Sequence, residues 1–275
     1  HVNFTIHLSF KLCAINIYLY SWLNKEIKMI KKTLTTSLFA SSMLFGQSAL
    51  AYEAGDMFIK GGIVTVDPQE SSSDIRITSP NLGDSTGAKV GLDSDTQLGL
   101  VFTYMATDRV GIELLAATPF EHNISAEGVI SSAGTLGSTK HLPPTLSVQY
   151  YLADPADKFQ PYVGAGINYT IFFDEDTSPA LTAAIGPLAD LAAGEPTGVE
   201  ATSTKLAIED SIGASLQVGF NYEITDNIGL NAAVWWMNID ADAEITAQTN
   251  IGTVKAKVDV EVDPYVYMLG AYYKF

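Results

Sequence analysis

A chain of 275 residues that is 47% hydrophobic but only 17% charged has the apolar material for a large buried surface. Residues 52–275 carry 10 basic against 30 acidic side chains, which argues against nucleic acid as a partner, because phosphate backbones are held by clustered Lys and Arg. The single cysteine, Cys13, lies in the N-terminal extension, so the body offers no disulfide, no thiolate metal site and no thiol nucleophile.

Residues 1–28 read as an upstream extension translated in error, with Met29 as the true start. Lys25-Glu26 is encodable by purines alone, as a ribosome-binding site would be. The other reading, an extra membrane helix, has only the 12 residues Leu12–Leu23 to work with, short of the ~20 that a crossing helix needs. Residues 29–51 have the three parts of a secretory signal peptide. Lys31-Lys32 are positive, Thr33–Gly46 is largely apolar, and Ala49 and Ala51 are the small residues before a cleavage site. Residues 52–275 are then the mature domain.

From Asp56 onward the hydrophobic period is 2, with turn residues at regular intervals. Met57–Val66 is the first predicted strand, and Leu98–Tyr104 the second, with its apolar residues alternating against Gln97, Gly99 and Thr103. Val110–Thr118, Thr145–Leu152 and Val163–Ile171 follow. Ser211–Tyr222 is the clearest: Ile212, Ala214, Leu216, Val218 and Phe220 share one face, and Ser211, Gly213, Ser215, Gln217 and Gly219 the other. Ile228–Ile239 and Val260–Phe275 complete eight. The fold class is therefore all-β, an eight-stranded antiparallel transmembrane barrel with apolar residues toward lipid and small polar ones toward the lumen. Backbone groups cannot stay unpaired in lipid, so the sheet has to close.

The connections alternate in length, as short periplasmic turns and long external loops do. Short ones lie at Ala106–Arg109, Ala153–Gln160 and Ile224–Asn227. Long ones run Asp67–Thr96, Glu121–Leu142 and Phe173–Thr204, with a hairpin tip near Asn250-Ile251-Gly252-Thr253 and a short helix expected within Ser178–Ala193. The last segment carries Tyr265, Tyr267, Leu269, Ala271, Tyr273 and Phe275 on one face. Tyr273 and Phe275 form the terminal aromatic pattern expected of a barrel-assembly signal.

Five blocks resemble the OmpW family of outer-membrane proteins: YEAGDMFIKGG, TQLGLVFTYMATDRVGIELLAATPFEH, HLPPTLSVQYYLAD, KFQPYVGAGINYTIFF and DPYVYMLGAYYKF, in this order across 52–275. The resemblance implies a bacterial outer-membrane location, a narrow apolar lumen and passive passage of small hydrophobic molecules. The first and third long loops depart from the family pattern. The other reading is a structural or surface-interaction barrel (adhesion, phage or bacteriocin receptor, stress adaptation) without transport.

Parity along each strand nominates large apolar residues for the lumen: Leu115 and Trp235 first, then Phe58, Met105, Tyr151, Phe172, Met237 and Met268. An eight-stranded barrel holds side chains or one small ligand, so each of these is either packing or a greasy binding surface. Lys60 and Glu113, also inward, are expected to pair, because an isolated buried charge is costly. The body's two histidines, His122 and His141, flank the second long loop near Ser125, Ser131 and Ser138, but no nucleophile motif accompanies them, and the chain is read as no enzyme. The acidic clusters lack the spacing of a calcium loop, so neither a metal nor a cofactor is expected. The partners implied are the lipid bilayer with lipopolysaccharide, the outer-membrane assembly machinery and small hydrophobic solutes.

Overall fold

The structure, a computed structural model, describes residues 52–83 and 86–275. The expected leader, its cleavage residues Ala49 and Ala51, and the extension 1–28 lie outside the described residues. In chain order the strands are β1 (Met57–Asp67), β2 (Ser71–Ser72), β3 (Arg76–Ser79), β4 (Asn81–Gly83), β5 (Ala88–Leu92), β6 (Asp95–Thr107), β7 (Val110–Ala117), β8 (Phe120–Gly128) and β9 (Thr135–Leu142). They continue with β10 (Thr145–Tyr151), β11 (Phe159–Thr177), the helix α1 (Pro179–Ala193), β12 (Ala201–Ile208), β13 (Ser211–Glu223), β14 (Ile228–Met237), β15 (Asp240–Thr249), β16 (Gly252–Glu261) and β17 (Tyr265–Lys274).

Eight of these form an antiparallel ring in the order β10-β7-β6-β1-β17-β14-β13-β11, closed by the β10–β11 ladder from Thr145↔Asn168 to Tyr151↔Tyr162. The terminal strand closes on the first, Ile59 opposite Tyr273. Alternation decides which way each side chain points. Ile63, Leu98, Leu100, Leu146, Val148, Ile167, Ile212, Leu216 and Leu269 all stand on the outer wall, exposed. In water so large a continuous apolar belt would drive association; in a bilayer it is the contact surface. Aromatic rings border it, with Phe159 against Phe220 and Tyr273 against Phe275 at the end of the short turns, and Tyr265 beside Tyr267 at the other end. Amphipathic rings favour headgroup depth.

The long connections, expected as loops with one hairpin tip and a short helix, carry further sheet beyond the eight barrel strands. The upper part of β11 pairs with β9, and β9-β8-β5 extend from it. A second sheet, β12-β15-β16-β3-β4, stands opposite. Thr177 Oγ1 donates to Thr204 O at 3.1 Å, which ties β11 to β12, and Val90 N donates to Ser72 Oγ at 3.2 Å, which ties β5 to β2. The segment expected as one strand, Val260–Phe275, is two. Pro264 has no N–H to give to a ladder, Asp263 has φ 35°, and the Asp263 Oδ1 accepts from Ile239 N at 3.2 Å and Asn238 Nδ2 at 3.0 Å. The same junction ends β14 at Met237, two residues before the expected Ile239.

The helix expected within Ser178–Ala193 is present at nearly full length. Ser178 Oγ caps it by accepting from Leu181 N at 3.3 Å, Pro179 opens the first turn, and Gly194 ends it at φ 71°. Its buried residues Leu181, Ala184, Ile185, Leu188 and Ala189 follow the i, i+3, i+4, i+7, i+8 spacing of one helical face, and α1 packs across β12, β9, β4 and β3.

Candidate functional site

The barrel is closed toward its short-turn end by two stacked layers. The first is aromatic. Tyr52, preceding β1, inserts into the lumen 4.9 Å from Phe58 and 5.2 Å from Tyr151, while Phe58 meets Tyr272 at 5.5 Å and Tyr151 meets Tyr162 at 5.2 Å. Asparagines satisfy the hydroxyls: Asn221 Nδ2 donates to Tyr52 Oη and Asn231 Nδ2 to Tyr162 Oη, both at 3.0 Å.

The second layer is charged. Lys60 Nζ donates to Glu113 Oε2 at 2.8 Å, with 1% of each side chain exposed. Gln149 Nε2 and Thr103 Oγ1 donate to the same oxygen at 2.6 and 3.3 Å. Tyr151 Oη donates to Gln149 Oε1 at 3.0 Å, and Gln149 Nε2 also reaches Gln217 Oε1 at 3.2 Å. The expected Lys60–Glu113 pair is thus the centre of a belt that crosses the lumen from β1 to β13.

The nominated lumen residues divide by depth. Phe58, Met105 and Tyr151 belong to the floor, and all three are fully buried. Leu115, Trp235, Met237 and Met268 are buried above the belt, packed with Val64, Val66, Val101 and Val266. Met237 Sδ accepts from Thr145 Oγ1 and Asn168 Nδ2. Phe172 stands apart from the other seven, on the part of β11 that has left the barrel. Tyr273 and Phe275 face outward, exposed.

Above the barrel, between the two extracellular sheets, is an apolar chamber of about 50 Å³. Phe172 lines it, with Ile124 and Thr139 toward the barrel, Ala243, Ile245 and Val258 on the opposite sheet, and Leu181 of α1 at the top. Sequence reasoning missed all of these but Phe172. The signal is the alternation of Ala241, Ala243, Ile245 and Ala247 with polar residues, just before the expected hairpin tip at Asn250–Thr253.

Below the chamber the wall is interrupted. The β7–β10 ladder ends at Leu115↔Thr145, although β7 runs on to Ala117. Pairing resumes only at Phe120↔His141, between β8 and β9. Across this gap stand Pro143 and Pro144, which have no N–H for a neighbouring strand. Just above it, His122 and His141 meet at 2.9 Å between their Nε2 atoms. Phe120 and Phe172 flank His141 at 5.4 and 5.8 Å. Burial, and then the neighbouring His122, push the His141 imidazole down to about 3. Of the serines near them, Ser125 Oγ donates to Gly91 O at 3.3 Å instead.

A family model described as OmpW family matches residues 53–189 and 192–275. Outer membrane protein W of Escherichia coli (strain K12) is 41% identical over 244 residues, covering 89% of this chain and 100% of that protein. Outer membrane protein W of Vibrio cholerae serotype O1 is 40% identical over 226 residues, covering 82% and 91%. The crystal structure of the outer membrane protein OprG from Pseudomonas aeruginosa aligns with a TM-score of 0.70 at 44% identity, over 83% of this chain and 99% of that one.

Proposed function

We propose, for a chain that belongs to the OmpW family and lies in the bacterial outer membrane, that it admits small hydrophobic molecules passively. They enter the extracellular chamber and leave sideways into the bilayer. The observation that carries this reading is the pairing of an apolar chamber with an interrupted wall, above a floor that is closed. A solute in the chamber has no straight route to the periplasm past the Lys60–Glu113 belt. The unpaired stretch between Leu115↔Thr145 and Phe120↔His141 is instead the break in the wall by which, in this reading, the solute leaves. Leu115, nominated for the lumen, sits on the lower lip of that gap, so its role in this reading is to keep the exit apolar.

The closed floor also favours a second reading, a barrel that presents its extracellular sheets to a surface partner such as lipopolysaccharide without moving solute. Uptake separates the two. In proteoliposomes, Ala243→Glu in the chamber wall and Leu115→Glu at the gap are each expected to reduce entry of an apolar fluorophore at least severalfold, with heat-modifiable folding intact. Folded variants that take up the fluorophore at the wild-type rate refute the route.

A further inference from the structure

The hydrogen bonds around the two histidines determine which ring nitrogen is left over. His122 Nδ1 lies against the main-chain oxygen of Asp93. A carbonyl only accepts, so Nδ1 carries the hydrogen, and in the tautomer that bears hydrogen only there Nε2 is a lone pair. His141 Nε2, 2.9 Å from that lone pair, is then the donor. In a neutral imidazole only one nitrogen bears hydrogen, so His141 Nδ1 is a bare acceptor. It is buried and has no partner, with His141 itself only 5% exposed. Its flanking rings, Phe120 and Phe172, have nothing to donate. Burial also holds this ring neutral down to about pH 3, so the lone pair persists at ordinary pH.

The position of this acceptor is informative. Along β9 the inward residues are Thr139 and then His141; along β8 they are Ile124, His122 and Phe120. Thr139 and Ile124 line the chamber, as does Phe172, whose ring leans on His141. The histidines are therefore the next rung down, between the chamber and the gap that begins below Phe120↔His141. A molecule moving from one to the other passes the unpartnered nitrogen once the Phe172 ring turns aside.

We propose that His141 Nδ1 is a polar subsite of this route, accepting a hydrogen bond from a solute that carries one O–H or N–H on an otherwise apolar body. The proposal rests on the chamber-and-gap reading and deepens it: the favoured class is alkanol-like or phenol-like rather than plain hydrocarbon. An unmet buried acceptor costs free energy until a donor arrives, whereas an ether or an alkane cannot supply one.

The test uses three small probes on the mature barrel in lipid nanodiscs: 1-hexanol, its isomer 1-methoxypentane, and hexane, each displacing an apolar fluorophore. The wild type is expected to bind hexanol over the ether by roughly two- to tenfold. His122→Phe/His141→Phe, which keeps the ring stack and removes every imidazole nitrogen, is expected to bring that ratio to about one while still binding hexane. A wild-type ratio near one, or an unchanged ratio in the folded double variant, overturns the subsite while hexane binding leaves the chamber reading standing. If no probe binds the wild type, the chamber reading fails and the subsite with it. Imidazole ¹⁵N spectra give a separate readout: His141 as the Nε2–H tautomer is expected, and His141 as Nδ1–H overturns the assignment.

Discussion

Removing the ammonium of Lys60 tests whether the barrel floor is a dry electrostatic seal. Lys60→Met keeps most of the side-chain volume and deletes the partner that lies 2.8 Å from Glu113 Oε2. At an effective dielectric near 20, two unit charges at that distance attract by about 6 kcal/mol. Part of that is already spent on desolvation, and Gln149 and Thr103 still donate to the same carboxylate oxygen. The net cost expected is therefore about 3–5 kcal/mol, the usual penalty for leaving one member of a buried pair uncompensated. Glu113→Gln alone is expected to cost a similar amount, and Lys60→Met/Glu113→Gln to recover most of it, because no charge is then left behind. Urea unfolding in thin-bilayer vesicles, followed by Trp235 and Trp236 fluorescence, measures all three. A Lys60→Met cost below about 1 kcal/mol would show that water reaches Glu113, and the argument that the floor blocks a straight passage would fall with it.

Two further outcomes follow from packing and from titration. A Cβ on Gly219 would meet the Tyr162 Oη at 2.6 Å and the Ala232 main-chain oxygen at 2.8 Å, so Gly219→Ala is expected to destabilise the barrel by about 1–3 kcal/mol in the same urea assay; a neutral result would mean the floor tyrosines have slack. His141 stays neutral in the folded chain down to about 3 but takes up a proton near 6.5 when unfolded. Its contribution is therefore fully present above pH 6.5 and is lost as pH falls from there toward 3, by up to about 1.4 kcal/mol per unit. Urea titrations between pH 6.5 and 5, before most carboxylates titrate, are expected to show that slope in the wild type and a shallower one in His141→Phe; equal slopes would refute it.

The barrel wall was legible because a membrane strand has one strict rule, apolar outward, and residues such as Ile212, Leu216 and Val218 obey it without interruption. The pairing of Lys60 with Glu113 was legible too, since two inward charges in a narrow lumen have few other ways to be satisfied. The extracellular sheets were not legible for a related reason. Their inner face is lined by small residues, Ala241, Ala243 and Ala247 among them, and their outer face by the charges expected of loops, so the contrast along each strand is weak. Proximity in space was likewise hidden for the histidines. Residues 122 and 141 lie on adjacent strands joined by a turn whose length gives no register. Only the ladder Phe120↔His141, with His122 opposite Thr139, brings the two rings together. Parity put Phe172 on an inner face but says nothing of height, and its height puts it in the chamber rather than the barrel lumen where it was expected.

The length of β11 has one more consequence. Its 19 residues extend to about 65 Å, whereas a strand tilted by ~40° crosses a 30 Å hydrocarbon core in roughly 11–12 residues. The remainder rises nearly 20 Å beyond the lipid as strand paired on one side with β9, with a shift of register between Phe173 and Asp176. Foreign peptides placed inside Asp176–Thr177 or β12 would therefore break sheet, while the tips at Asn250-Ile251 and Val129–Gly134 lie outside the ladders. Those two tips are where an epitope tag or a fluorophore belongs if the protein is to be followed on living cells.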